Sequence, residues 1–355
     1  MIKTHKSAAA IIVFCICFAM ISLFGIRTFA ELNSAQAEAD PDMLVSGEYS
    51  YKLAEDGTAV YYGTENAAGA VEVPAQIEGL DVTVIGERAF YKNEQITEVT
   101  IPDSVAEIAP EAFAYCEALA QIHWGTGLKS ISKSAFGRCN SLTELVFPEG
   151  LEKIANDTFE FCENITSITF PDSLKSLGTS CFVDCHALQE VNFGKGLETI
   201  GVNPFKQCES LLELNIPGEL NWLQIKDHVL INTEKQAIVW FPIGLGIEEY
   251  SVPEGITEIL DRAFSNCNLK KVILPEGLTR IGNHAFATSE VLEEVVCPGT
   301  LKSIGNMSFT SCKKLKTINL PEGLEKIDSK AFYHCVELEY TIPSTVTDLA
   351  EDAFD

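Results

Sequence analysis

The residues with most chemistry to offer are the cysteines. The chain carries twelve, and eight share one recurring place: Cys116, Cys139, Cys162, Cys185, Cys208, Cys267, Cys312 and Cys335. Asn93 and Ser289 hold that place elsewhere. Thiols in such a row could cross-link, ligate a soft metal or act as nucleophiles. Oxidising surroundings permit disulfides, and neighbours one strand apart fall within disulfide range, so a few bridges fit. Zinc sites need characteristic Cys or His pairs. Cys181 and Cys185 only bracket Phe182, with no such partners. The spacing favours a buried ladder of free thiols.

His123, His186, His228, His284 and His334 are scattered, with no His-x-x-x-His pair. No Gly-x-Ser-x-Gly elbow or phosphate-binding loop occurs. No metal site, cofactor or catalytic constellation is expected, and the chain reads as non-enzymatic. Three Asn-x-Ser/Thr sequons, at Asn156, Asn164 and Asn306, read as chance.

A 23-residue period positions these side chains. Leu128, Ile131, Ala135, Phe136, Cys139, Leu142, Leu145, Phe147 and Pro148 recur as Leu151, Ile154, Thr158, Phe159, Cys162, Ile165, Ile168, Phe170 and Pro171. The marker phenylalanines are Phe90, Phe113, Phe136, Phe159, Phe182 and Phe205, then Phe264, Phe286, Phe309, Phe332 and Phe354. A fixed period in the twenties means a solenoid, because one rung cannot bury its apolar edge alone. Residues 142–148 alternate apolar and exposed positions, which predicts a short strand. Proline then ends it, since it cannot donate to a ladder. Leu128 and Ile131 mark a second apolar edge. A small residue before each phenylalanine predicts a crowded turn. Ten rungs at strand spacing give a parallel sheet about 50 Å long, with the phenylalanines as a spine.

Two rows of side chains face outward from the predicted strands. The first includes Glu98, Glu144, Glu190, Glu213, Glu294 and Glu339. The second offers shorter groups, among them His123, Thr169, Asn192 and Asn215. Like charges about 5 Å apart on adjoining rungs repel, so a cation or a Lys/Arg-rich ligand would relieve the first row. The second suits a peptide or glycan edge. The candidate ligand-binding residues are therefore Glu98, His123, Glu144, Thr169, Glu190, Asn192, Glu213 and Asn215. The competing reading is a solvated face chosen for solubility.

Net charge is −26, which argues against nucleic acid and anionic membrane surfaces as partners. Lys3, His5 and Lys6 precede an apolar run from Ala8 to about Gly25, followed by small residues ending at Ala30 or Ala37. This reads as a signal peptide over residues 1–30, or to 37. The alternative is an uncleaved anchor, since the run is near the roughly 18 residues needed to span. In either case the repeats lie outside the cytoplasm. Removing Lys3, Lys6 and Arg27 from 25 basic residues, against 51 acidic ones, leaves −29.

The expected organisation follows. Residues 31–46 are a flexible lead-in, and 47–81 a β cap with a hairpin. Repeats fill 82–218. Residues 219–252 are an irregular long repeat, in which 229–232 and 237–241 form a hairpin. Repeats resume over 253–355, the last incomplete and without a visible closing cap.

The pattern Leu301, Ile304-Gly305, Phe309, Cys312, Leu315, Ile318, Leu320-Pro321 resembles the BspA-type leucine-rich repeat of bacterial surface proteins, in eleven copies over residues 82–355. The resemblance implies a right-handed leucine-rich repeat superhelix, a β-rich solenoid with a parallel sheet on one face. It also implies a secreted or cell-surface protein that binds host proteins or glycans. The expected function is an exported scaffold for protein or glycan binding and adhesion, through the strand face and the 219–252 hairpin. The alternatives are a structural envelope or matrix component without a specific ligand, and an accessory module of an extracellular enzyme.

Overall fold

The computed structural model describes residues 40–64, 66–218 and 220–355. The expected leader and most of the lead-in lie outside them. The chain is a parallel β-solenoid of about 13 turns, about 23 residues each. Its one short 3-10 turn is Ile243–Leu245 among the described residues.

One rung shows why. In Glu144–Val146, Leu145 points inward while Glu144 and Val146 face solvent. Phe147 is buried, and Pro148 turns the chain. Lys153–Ile154 forms a second, two-residue strand with Ile154 inward. Thr158 and Phe159 then bury completely, as does Cys162. Within each block of repeats the amide of a spine phenylalanine donates to the carbonyl of the small residue one rung on, from Phe90 to Phe182 and from Phe264 to Phe332, as Phe113 does to Ala135 at 2.8 Å. A larger residue there would crowd the neighbouring turn.

The rings stack as a spine. Centroids are 4.9 Å apart for Phe90 and Phe113, 5.0 Å for Phe113 and Phe136, and 5.2 Å for Phe136 and Phe159. Planes of the last two pairs lie within 3° of parallel. Tyr61, from the N-terminal strands, starts the spine 5.8 Å from Phe90.

Three expectations need correction. The sheet is not confined to one face: the second apolar edge is itself a ladder. Glu107–Ile108, Ser130–Ile131, Lys153–Ile154, Ser176–Leu177 and Thr199–Ile200 pair in parallel, continuing a sheet from the N-terminal strands. The long-strand face is not one 50 Å sheet either. It breaks into sheets of three, four and four strands. The lead-in is also shorter than read, since Leu44–Ser46 pairs antiparallel with Tyr49–Leu53.

The insertion differs most. It contains three antiparallel strands, Leu223–Lys226, Val229–Asn232 and Ala237–Trp240. Every residue of the last two is buried. Leu230, Val239 and Trp240 join the N-terminal core, while Val229, Ile231, Ile238 and Phe241 join the C-terminal one. The meander is a partition with a core on each side, so its hairpin strands present no docking edge to solvent. Adjacent residues carry the spine across it: Trp240 meets Phe205 at 5.8 Å, and Phe241 stacks on Phe264 at 4.8 Å. Asn203, also buried, donates to the Arg262 carbonyl at 3.0 Å and to Ser265 Oγ at 3.1 Å.

Trp240→Ala is therefore expected to loosen the join more than either block. In a solenoid, stability is roughly a sum of rung and interface terms. Losing the indole should cost about 3–5 kcal/mol and split one urea transition into two. A single, unshifted transition would show that the partition does not couple the blocks.

Candidate ligand-binding face

The four-stranded sheet formed by Glu144–Val146, Ser167–Thr169, Glu190–Asn192 and Glu213–Asn215 is in parallel register. Glu144, Ser167, Glu190 and Glu213 line up across it, as do Val146, Thr169, Asn192 and Asn215. The second row is linked by hydrogen bonds. Asn215 Nδ2 donates to Asn192 Oδ1 at 2.9 Å and to Glu190 Oε1 at 3.0 Å. Asn192 Nδ2 donates to Thr169 Oγ1 at 3.5 Å. These bonds order three amide and hydroxyl groups and orient one carboxylate. Glu144 and Glu213 are exposed, and neither carboxylate has a hydrogen-bond or ion-pair partner among the described residues. Only Glu190 and Glu213 sit on adjoining rungs, so mutual repulsion is weaker than a continuous row would give.

Glu98 and His123 are placed apart from the other six. They belong to the three-stranded sheet of Gly69–Glu72, Ile96–Thr100 and Gln121–His123. His123 Nε2 lies 2.7 Å from Glu98 Oε1, so these two satisfy each other. No ladder joins Gln121–His123 to Glu144–Val146. Trp124 marks the break, its indole 5.6 Å from Phe136 and 5.5 Å from Phe147. The equivalent place one rung earlier holds the slimmer Ile101. Beyond the partition, Lys271 pairs with Glu294 at 2.8 Å, which neutralises the charge row there. The Asn215 bonds were not read from the sequence, although asparagines on consecutive rungs signal such a ladder.

The ten described cysteines are free thiols. Seven of the eight ladder Sγ atoms donate to the carbonyl of the phenylalanine one rung back, as Cys139 does to Phe113 at 3.2 Å and Cys162 to Phe136 at 3.1 Å, while Cys267 donates to Ser289 Oγ at 3.3 Å. Asn93 does the same to the Ala67 carbonyl, and Ser289 to Phe264. Burial pushes the Cys116 thiol up to about 12, and those of Cys139, Cys162 and Cys185 well above the ordinary value. A protonated, enclosed thiol is a poor nucleophile. Among the described residues no group of three or more His, Cys, Asp or Glu is placed to hold a metal.

A parallel solenoid with a phenylalanine spine and a polar turn ladder defines the leucine-rich repeat class. The model of the BspA type leucine rich repeat region matches residues 75–183, 106–236 and 241–355. The chain belongs to this family. It is similar to a leucine rich cell surface protein from Faecalibacterium prausnitzii, with a TM-score of 0.67 and 26% identity, over 90% of this chain and 93% of that one. Two further structures share the fold. The pneumococcal vaccine antigen PcpA has a TM-score of 0.69 and 22% identity, over 88% and 94% of the two chains. A leucine-rich repeat protein from Bacteroides ovatus has a TM-score of 0.52 and 23% identity, over 86% and 90%. No curated protein matches the chain.

Proposed function

We propose that the chain is an exported, non-catalytic scaffold that holds an extracellular protein at the cell surface. Its docking face is the four-stranded sheet from Glu144 to Asn215. The observation that carries this reading is the hydrogen-bonded row of Thr169, Asn192 and Asn215 beside the carboxylates of Glu144, Glu190 and Glu213. Ordered amides fit the backbone of an extended segment, and carboxylates fit its Lys or Arg side chains. Bonds among the amides fix their rotamers, which lowers the ordering cost on binding. Glu98 and His123, already paired, contribute less. The similarity to a cell-surface protein and the basic-then-apolar N-terminus support location outside the cytoplasm.

The test is a binding screen against immobilised extracellular matrix proteins and glycans, repeated with Glu144, Glu190 and Glu213 all changed to Lys. Binding of a basic protein should fall at least a hundredfold in the triple variant. It should also weaken with salt, since exposed charges are screened. Undiminished binding would remove the face from consideration.

A further inference from the structure

A second surface stands apart from the strand face. Two residues past each spine phenylalanine, the turn residue takes a left-handed conformation: Lys92 (φ 60°), Tyr115 (φ 64°), Arg138 (φ 61°) and Phe161 (φ 56°). Later rungs put Asp184, Gln207, Asn266, Thr288, Ser311 and His334 there. Asparagine and aspartate tolerate this region, whereas large side chains in it are strained. Four consecutive rungs thus carry long or aromatic side chains at a place where Asp184, Asn266, Thr288 and Ser311 are shorter and polar.

The four side chains interleave. Lys92 Nζ lies 5.1 Å from the Tyr91 ring and 5.6 Å from Tyr115. The Arg138 guanidinium lies 5.6 Å from Tyr115 and 4.2 Å from Phe161. Arg88 extends the stack, 5.2 Å from Tyr91, and is itself paired with Glu111. Lys92 and Arg138 form no ion pair among the described residues. The ridge backbone is bonded rung to rung: the amides of Lys92, Tyr115, Arg138 and Phe161 each donate to the next rung at 2.7–2.8 Å. Tyr115 is 37% exposed.

We infer that this ridge binds an extended polysaccharide in which every second sugar is a uronic acid. Lys92 and Arg138 are two rungs apart, about 9.6 Å at strand spacing, close to the length of one disaccharide. Lys92 and Arg138, neither held in an ion pair although Glu160 and Asp184 lie near Arg138, then meet successive sugar carboxylates. The rings between them pack against the C–H faces of the intervening sugars. Exposed Glu94, Glu117 and Glu163 flank the ridge. They accept hydrogen bonds from sugar hydroxyls and repel a densely sulfated chain, so spaced charge is selected.

The experiment titrates the chain with a hyaluronate octasaccharide, and in parallel with a heparin octasaccharide and a neutral chitin oligosaccharide. Hyaluronate should bind best. Arg138→Ala and Tyr115→Asn should each weaken it at least tenfold. Tyr115→Asn should leave the melting temperature equal or higher, because asparagine suits the left-handed turn, so its loss of binding cannot come from unfolding. The strand-face triple variant should bind hyaluronate normally, which keeps this result separate from the preceding one. Absence of hyaluronate binding, ridge variants that bind as well as the parent, or preference for heparin or the neutral sugar would each overturn the inference.

Discussion

Phe159→Ala is expected to lower stability by about 3–5 kcal/mol, the range for truncating a buried phenylalanine. Its ring is fully buried between Phe136 at 5.2 Å and Phe182 at 5.3 Å, with Phe147 edge-on at 5.7 Å. Rungs above and below both lose a contact, and neither can collapse into the gap without breaking the turn ladder. Phe354, half-buried with one spine neighbour at 4.9 Å, should cost clearly less when truncated. Urea unfolding of the two variants gives the comparison. Equal losses, or less than about 1 kcal/mol at Phe159, would mean that the spine does not hold the rungs together.

The second large effect is a steep loss of stability in alkali. Burial raises the thiols of Cys116 and Cys297 to about 12, and raises those of Cys139, Cys162, Cys181, Cys185, Cys267 and Cys312 as well. In the unfolded chain these groups ionise near their ordinary value of about 8.5. Below that value both states keep the proton and the stabilisation is complete. Above it the unfolded state sheds protons that the folded state retains, so stability falls as pH rises. Each thiol contributes a slope of about 1.4 kcal/mol per pH unit. Eight together would consume a usual stability of about 5–15 kcal/mol within about two units. Unfolding midpoints between pH 7 and 10.5 should hold steady and then drop sharply past pH 9. Cys139→Ser should keep the turn bond, as Ser289 does at 3.1 Å, while removing one proton from the slope. Midpoints unchanged up to pH 10 would contradict the buried thiol ladder.

The sequence exposed the fold wherever side chains repeat and hid it wherever backbone decides. Phe113, Phe136 and Phe159 recur at one spacing because each occupies the same slot, and the cysteines recur because each serves the same carbonyl. The short ladder was legible only as an apolar edge. In Ser130–Ile131 one residue faces in and one out, too little alternation to mark a strand. The runs Val229–Asn232 and Ala237–Trp240 are apolar on both faces, a mark of two-sided burial. Counted as a hairpin alone, they suggested an exposed insertion. The first meander strand, Leu223–Lys226, is only four residues long, too short for its alternation to stand out beside the two apolar runs.

On the candidate face, outward positions followed from period-two alternation and came out in register. Which of them would meet did not. Glu98 and His123 pair across one rung because their side chains reach diagonally. The break at Trp124 depends on how an indole fits between Phe136 and Phe147. The aromatic ridge was invisible for another reason: nothing in the residue types Tyr115 or Phe161 announces a left-handed turn.

Carboxylate footprinting tests the docking face most directly. The chain is labelled with a carbodiimide and an amine, with and without the tightest protein from the matrix screen, and label at each Asp and Glu is read by mass spectrometry. Bound partner should shield Glu144, Glu190 and Glu213 together, leaving Glu258 and Glu325 on the short-strand side as reactive as before. Shielding of the short-strand side, with Glu144 and Glu213 still fully labelled, would contradict docking on the long strands.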